Sequence, residues 1–110
     1  MAYLDLMQGT LDILILRTLS WGPRHGYAIV NWIKQQTEDA LLIEEGALYP
    51  ALHRLEKRGW LESEWGVSEN NRKAKYYHLT ATGRAEQKAE VIKWERYVLA
   101  VGKVLRPANG

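Results

Sequence analysis

Apolar residues recur along this chain at two spacings, and the switch between them lays out the fold. Leu11, Leu14, Ile15, Thr18 and Leu19 follow one another at helical intervals, with Thr10 suited to the N-cap. That first helix should end near Ser20, because Gly22-Pro23 is a breaker pair. A second helix is expected from about Gly26 to Gln36, carrying Tyr27, Val30, Ile33 and Lys34 on one side. Residues 37–44 are a connection in which Leu41-Leu42-Ile43 reads as a very short strand. The third helix runs from about Glu45 to Arg58. Its Leu48, Ala51, Leu52 and Leu55 fall at i, i+3, i+4 and i+7, one stripe for the core. Pro50 sits near its start, where a missing N–H is best tolerated, and Gly59 suits a left-handed cap at its end.

Beyond Gly59 the period falls to two. Trp60 to Val67 reads as a strand with Leu61, Ser63 and Trp65 on one face, and Ser68-Glu69-Asn70-Asn71 is turn chemistry. Arg72 to Leu79 returns with Tyr77 and Leu79 toward the core and Tyr76 and His78 away from it. Thr80 or Thr82 caps a last helix that continues without proline to Leu105. The predicted fold class is mainly α with a small β-hairpin. It comprises a winged helix-turn-helix domain over residues 8–81 and a long C-terminal helix over residues 82–105.

Composition narrows the picture. At 110 residues the chain is most simply one domain with a single core, and 46% hydrophobic residues suit a soluble one. Without cysteine, neither a disulfide framework nor a thiolate metal site is available. The apolar runs are too short for a membrane span, and the N-terminus lacks a basic segment followed by an apolar one. A cytoplasmic protein with no membrane partner is expected. The net charge of +2 is only a mild hint of a polyanionic partner, so a nucleic-acid binder must concentrate its cations locally. Arg72, Lys73 and Lys75 do so, with no acid among them.

A helix followed by a hairpin with cations at its tip is how a winged helix addresses DNA. The outer side of the third helix carries Tyr49, His53, Arg54 and Lys57. Gly46 and Ala47 at its start allow close approach to a phosphate backbone, which the helix N-terminal amides favour. The candidate contacts to double-stranded DNA are therefore Tyr49, His53 and Arg54 from the helix, with Asn70, Asn71, Arg72, Lys73 and Lys75 from the hairpin. Arg54 can reach a guanine edge or a phosphate, or pair with a nearby carboxylate on the helix surface. Catalysis finds little support. His25, His53 and His78 fall on three different elements, and His53 with Glu56 lacks a second metal-binding pair. No serine has a glycine-framed elbow and no phosphate loop follows a strand. No enzymatic activity, catalytic residue, metal or cofactor is expected. The rival reading is a winged-helix module that binds protein. Trp21, Trp32, Trp60 and Trp65 would supply an aromatic surface, although most are expected in or beside the core.

Several of these segments together resemble the PadR family of bacterial transcriptional regulators. The resemblance rests on Gly9-Thr10-Leu11-Asp12 with Leu14 and Leu16, on His25-Gly26-Tyr27-Ala28-Ile29, and on the run from Gly46 to Glu56. Lys75-Tyr76-Tyr77-His78-Leu79-Thr80-Ala81-Thr82-Gly83 completes it. Ala47 departs from the pattern, since many relatives have a hydroxyl residue there. The resemblance implies a homodimer that binds a roughly two-fold symmetric operator, usually as a repressor, with release by a small molecule.

The last helix argues for a dimer independently. Ala89, Val91, Ile92, Trp94, Val98, Leu99, Val101, Val104 and Leu105 are too many apolar positions for a lone surface helix. Val91, Trp94, Val98, Val101 and Leu105 are the candidate dimerisation residues, with help from Leu4, Leu6 and Met7; the alternative is a helix folded back on its own head. A dimer would set its two recognition helices about 34 Å apart or a multiple of that, one DNA turn. Trp94 lies in this surface. By resemblance to multidrug-sensing relatives it is a candidate ligand-binding residue for a small aromatic effector, the other reading being a packed interface tryptophan.

Overall fold

The computed structural model describes residues 4–7 and 9–109. The expected first residue of the head, Gln8, and the Met1-Ala2-Tyr3 start lie outside them. Helix α1 spans Thr10–Leu19 and buries Ile15, Leu16, Thr18 and Leu19. Thr10 is not its N-cap. Gly9 takes that place at φ 89, and the Thr10 hydroxyl instead donates to the Met7 carbonyl at 2.6 Å. After the Gly22-Pro23 break comes a strand the sequence pattern did not announce, β1 (Arg24–His25), too short for any periodicity. Helix α2 (Gly26–Gln36) follows at once, capped by His25, whose Nδ1 accepts the Ala28 N–H at 3.1 Å.

The buried side of α2 is Gly26, Ile29 and Ile33. Of the residues expected on one side of α2, Ile33 is buried, Val30 and Lys34 are half-buried and Tyr27 is 70% exposed. Leu41-Leu42-Ile43 forms no strand. Glu38 and Asp39 both adopt positive φ (51 and 67), which turns the chain, and Ile43 enters the core singly at 2% exposure. Helix α3 (Glu45–Lys57) buries the expected Leu48, Ala51, Leu52 and Leu55 and ends before Gly59 at φ 79.

Strands β2 (Leu61–Val67) and β3 (Lys73–Leu79) form the hairpin. With β1 they make a three-stranded antiparallel sheet in the order β1-β3-β2, so β3 is central. Tyr77 and Leu79 point into the core as their alternation requires. Asn71 takes the positive φ (58) that the turn needs. Trp65 shares a face with Leu61 but lies beyond the edge of the core, 63% exposed; Trp21 is exposed too, while Trp32 and Trp60 are half-buried.

Helix α4 (Ala81–Leu105) is capped by Thr80, whose hydroxyl accepts the Gly83 N–H at 2.9 Å. Gly83 is there for space: a Cβ would stand 1.9 Å from the Trp60 carbonyl oxygen. Arg17 donates to Gln87 Oε1 at 3.0 Å and ties the first turns of α4 to α1. Farther along, α4 leaves the head, and the molecule is elongated, 57 × 36 × 21 Å. No helix among the described residues is long and apolar enough to cross a membrane.

Candidate nucleic-acid interface

The apolar stripe of α3 faces the core, which leaves Gly46, Ala47, Tyr49, His53, Arg54 and Lys57 in solvent. Tyr49 lies over the start of α2. A Cβ on Gly26 would come within 2.7 Å of the Tyr49 hydroxyl, so the missing side chain at Gly26 is what seats the tyrosine. Opposite it stands the hairpin. Tyr49, Asn70, Arg72, Lys73 and Lys75 line one open groove of about 600 Å³, together with Tyr27 and Trp65. His53, Arg54 and Asn71 lie outside that groove.

The hairpin is braced next to its turn. The Tyr76 hydroxyl donates to the Val67 carbonyl at 3.0 Å, and its ring crosses Gly66, where a Cβ would meet it at 3.0 Å. At the tip, Ser68 N–H donates to the Arg72 carbonyl at 2.8 Å and Asn71 N–H to the Ser68 carbonyl at 2.9 Å. The cations differ in how firmly they are held. Arg72 is exposed and forms no ion pair among the described residues. Lys73 stacks its ammonium 4.8 Å from the Trp65 ring centroid, which fixes its direction without neutralising its charge. Lys75 is half-buried, 3.9 Å from Glu56 and 5.8 Å from the Tyr77 ring centroid. Burial raises the Tyr77 phenol above its ordinary range, and the Glu56 carboxylate and then Tyr49 add to the shift.

Arg54 is ion-paired, though not with a carboxylate of its own helix. Its guanidinium pairs with Asp12 of α1, which also holds Arg58 at 3.7 Å. Glu56 accepts a 2.6 Å hydrogen bond from Ser63, so the carboxylate serves the α3–sheet contact and not a site with His53. Sequence spacing missed Gly26, Trp65 and Asp12, because each acts through a contact distant in the chain. Only Gly26 left a signal, a glycine directly at a helix start.

The expected dimerisation residues also fall together. On α4, Val91, Trp94, Val98, Val101 and Leu105 alternate steps of three and four, the spacing of a coiled-coil seam. Trp94 is 37% exposed, Val98 47% and Leu105 73%. Trp94, Val98, Val101 and Leu105 line a shallow groove of about 310 Å³ with Tyr97 and with Met7 from the N-terminal segment. Leu6 packs against the head core, and Leu4 and Met7 are exposed. Toward its C-terminal end this face of the helix stays largely uncovered by the head.

Three helices with a hairpin after the third define a winged helix-turn-helix protein, here extended by a long C-terminal helix. The family model of the PadR-like transcriptional regulators matches residues 15–89, and the chain belongs to that family. Among solved structures, a transcriptional regulator from Clostridium thermocellum is 33% identical with a TM-score of 0.79, over 87% of this chain and 93% of that one. A PadR family regulator from Eggerthella lenta is 34% identical with a TM-score of 0.76, over 91% and 85% of the two chains. An uncharacterised protein from Lysinibacillus sphaericus is 36% identical over 82% of this chain and 83% of its own. The protein is a DNA-binding transcriptional regulator, not an enzyme.

Proposed function

We propose that the chain works as a homodimer and represses transcription by holding a roughly palindromic operator. The head, residues 8–81, binds DNA, and residues 82–105 join the subunits. Helix α3 enters the major groove with Tyr49 and His53 leading, while Asn70, Asn71, Arg72, Lys73 and Lys75 of the wing lie along the flanking phosphates. Arg54 contributes in one of two ways: it leaves Asp12 for a base edge or phosphate, or it stays paired and stiffens α3 against α1. The observation that carries this reading is the convergence of Tyr49 with Arg72, Lys73 and Lys75 on one groove, where a protein-binding module would not require its cations to meet.

The dimer reading rests on the uncovered seam of α4, since an apolar stripe of that length costs solvation free energy in a lone subunit. Trp94, with Tyr97 at 6.2 Å between centroids, gives a flat aromatic effector two rings to stack on across the dimer axis.

Fluorescence anisotropy with the duplex upstream of the protein's own gene, against scrambled DNA and across salt, tests the DNA reading. Tight, sequence-dependent binding with a steep salt slope is the expected result. Weak binding, equal on both DNAs at every salt, would leave an operator elsewhere or a protein partner. Quenching of tryptophan fluorescence by planar aromatics in sedimentation-verified dimer tests the effector, and no quenching removes it.

A further inference from the structure

The imidazole of His25 is used on one side and idle on the other. Its Nδ1 accepts the Ala28 N–H at 3.1 Å. A ring nitrogen that accepts carries no proton, so the neutral ring bears its proton on Nε2. That Nε2 is buried and has no hydrogen-bond partner, which leaves a desolvated donor unmet. The carboxylate facing it belongs to the wing turn: Glu69 Oε1 stands 3.5 Å away.

The two partners are unequally fixed. His25 is held by the α2 cap, by the β1–β3 pairing opposite Tyr76, and by an edge-on contact with the Tyr76 ring at 5.3 Å. Its side chain is 9% exposed, against 72% for Glu69. The ring is the anchor and the turn is the movable part. Closing the last few tenths of an ångström therefore draws the turn toward α2, and with it the neighbouring Arg72 and Lys73.

We propose that His25 is a positioning residue for DNA binding, its Nε2–H latching Glu69 so that the wing cations stand over the phosphates beside α3. The inference rests on the DNA-binding reading above, and it separates two roles of one ring. Nδ1 caps the helix; Nε2 aims the wing. Asparagine caps a helix well but offers no second donor at the Nε2 position, so His25→Asn keeps the first role and removes the second.

Two measurements test the latch. In hydrogen exchange of the free protein, His25→Asn should speed exchange of the Ser68–Arg72 amides several-fold and leave α2 unchanged; unchanged exchange in the turn overturns the latch whatever the DNA result. In anisotropy on a mixed-sequence duplex at low salt, His25→Asn should weaken binding about fivefold. Lys73→Ala, a modest loss in the unmodified protein, should then add less still in the double variant. Independent, multiplying losses would show that His25 does not place the wing. Because the core residue is altered in that variant, Glu69→Ala in the exposed turn is the second route and should abolish the same coupling to Lys73. Glu69→Gln, whose amide oxygen accepts the same N–H, should preserve it. Failure of the unmodified protein to bind any duplex would sink the DNA reading, and with it the role assigned to the latch, while the exchange data still report whether the latch forms.

Discussion

Helices α3 and α4 both carry an apolar stripe, yet they meet opposite fates. On α3, Leu48, Ala51, Leu52 and Leu55 are at most 1% exposed, covered by α1, α2 and the sheet of the same chain. On α4, Trp94, Val98 and Leu105 remain 37%, 47% and 73% exposed. The stripe of α3 therefore stabilises the head within one chain and leaves the helix's polar side in solvent. The stripe of α4 stays largely uncovered in the single chain, which is what the proposed dimer would bury. One helix completes a domain; the other leaves its stripe open.

The largest contrast is in stability. Leu52→Ala removes a fully buried side chain from the α3 stripe and should cost about 2–5 kcal/mol in denaturant unfolding, with a cavity added to the lost transfer energy. Val98→Ala, on the other stripe, should shift unfolding by an amount that depends on protein concentration if the proposed dimer buries that stripe. A concentration-independent loss for Val98→Ala would break the comparison.

Val98→Glu sharpens it from the other side. A charge in the seam should give monomers in sedimentation while the head keeps its secondary structure. Operator affinity should then fall roughly 100-fold, since two half-sites are no longer held at a high effective concentration. A monomer that binds as tightly as the dimer would refute the division of labour between the helices.

The α3 stripe was legible because its spacing and its burial are both local facts. Leu48 to Leu55, the stop at Gly59 and the positive φ of Asn71 follow from residue type and period alone. So did the alternation of Tyr77 and Leu79. What escaped the pattern was set by partners far along the chain. Strand β1 exists only because β3 is there to pair with it, and Arg24 and His25 carry no period of their own. Leu41-Leu42-Ile43 has strand composition but no neighbouring strand, so Ile43 plugs the core from a loop. Tyr27 shares its expected side with Ile33, but the inward side of α2 is fixed by where α1 and the sheet lie. At the site, the solvent-exposed side of α3 and the cations of the hairpin were visible from the helix and hairpin patterns. The Asp12 partner of Arg54 and the Gly26 seat of Tyr49 were not.

Gly26→Ala turns that last point into a smaller effect on the polar side of α3. At the first position of α2 the added methyl group suits a helix, so stability should change by less than about 1 kcal/mol. Its Cβ, however, would press within 2.7 Å of the Tyr49 hydroxyl and drive the ring off its seat. Operator affinity should drop about tenfold, the scale of one base contact. The loss should vanish in a Tyr49→Ala background, and if it persists there Gly26 acts by another route.

The smallest expected effect lies at the wing and tests whether its cations meet phosphates and not bases. Lys73 is exposed and aimed by Trp65. Lys73→Ala removes one phosphate contact and no sequence reading. Binding to specific and scrambled DNA should weaken by the same factor, and the slope of log affinity against log salt should fall by about one. Trp65→Ala leaves the charge and removes only the ring beneath it. It should weaken binding with the salt slope kept, because the lysine still reaches phosphate but is ordered on binding rather than before it. If Lys73→Ala instead altered sequence preference, the wing would be reading bases, and recognition would no longer belong to α3 alone.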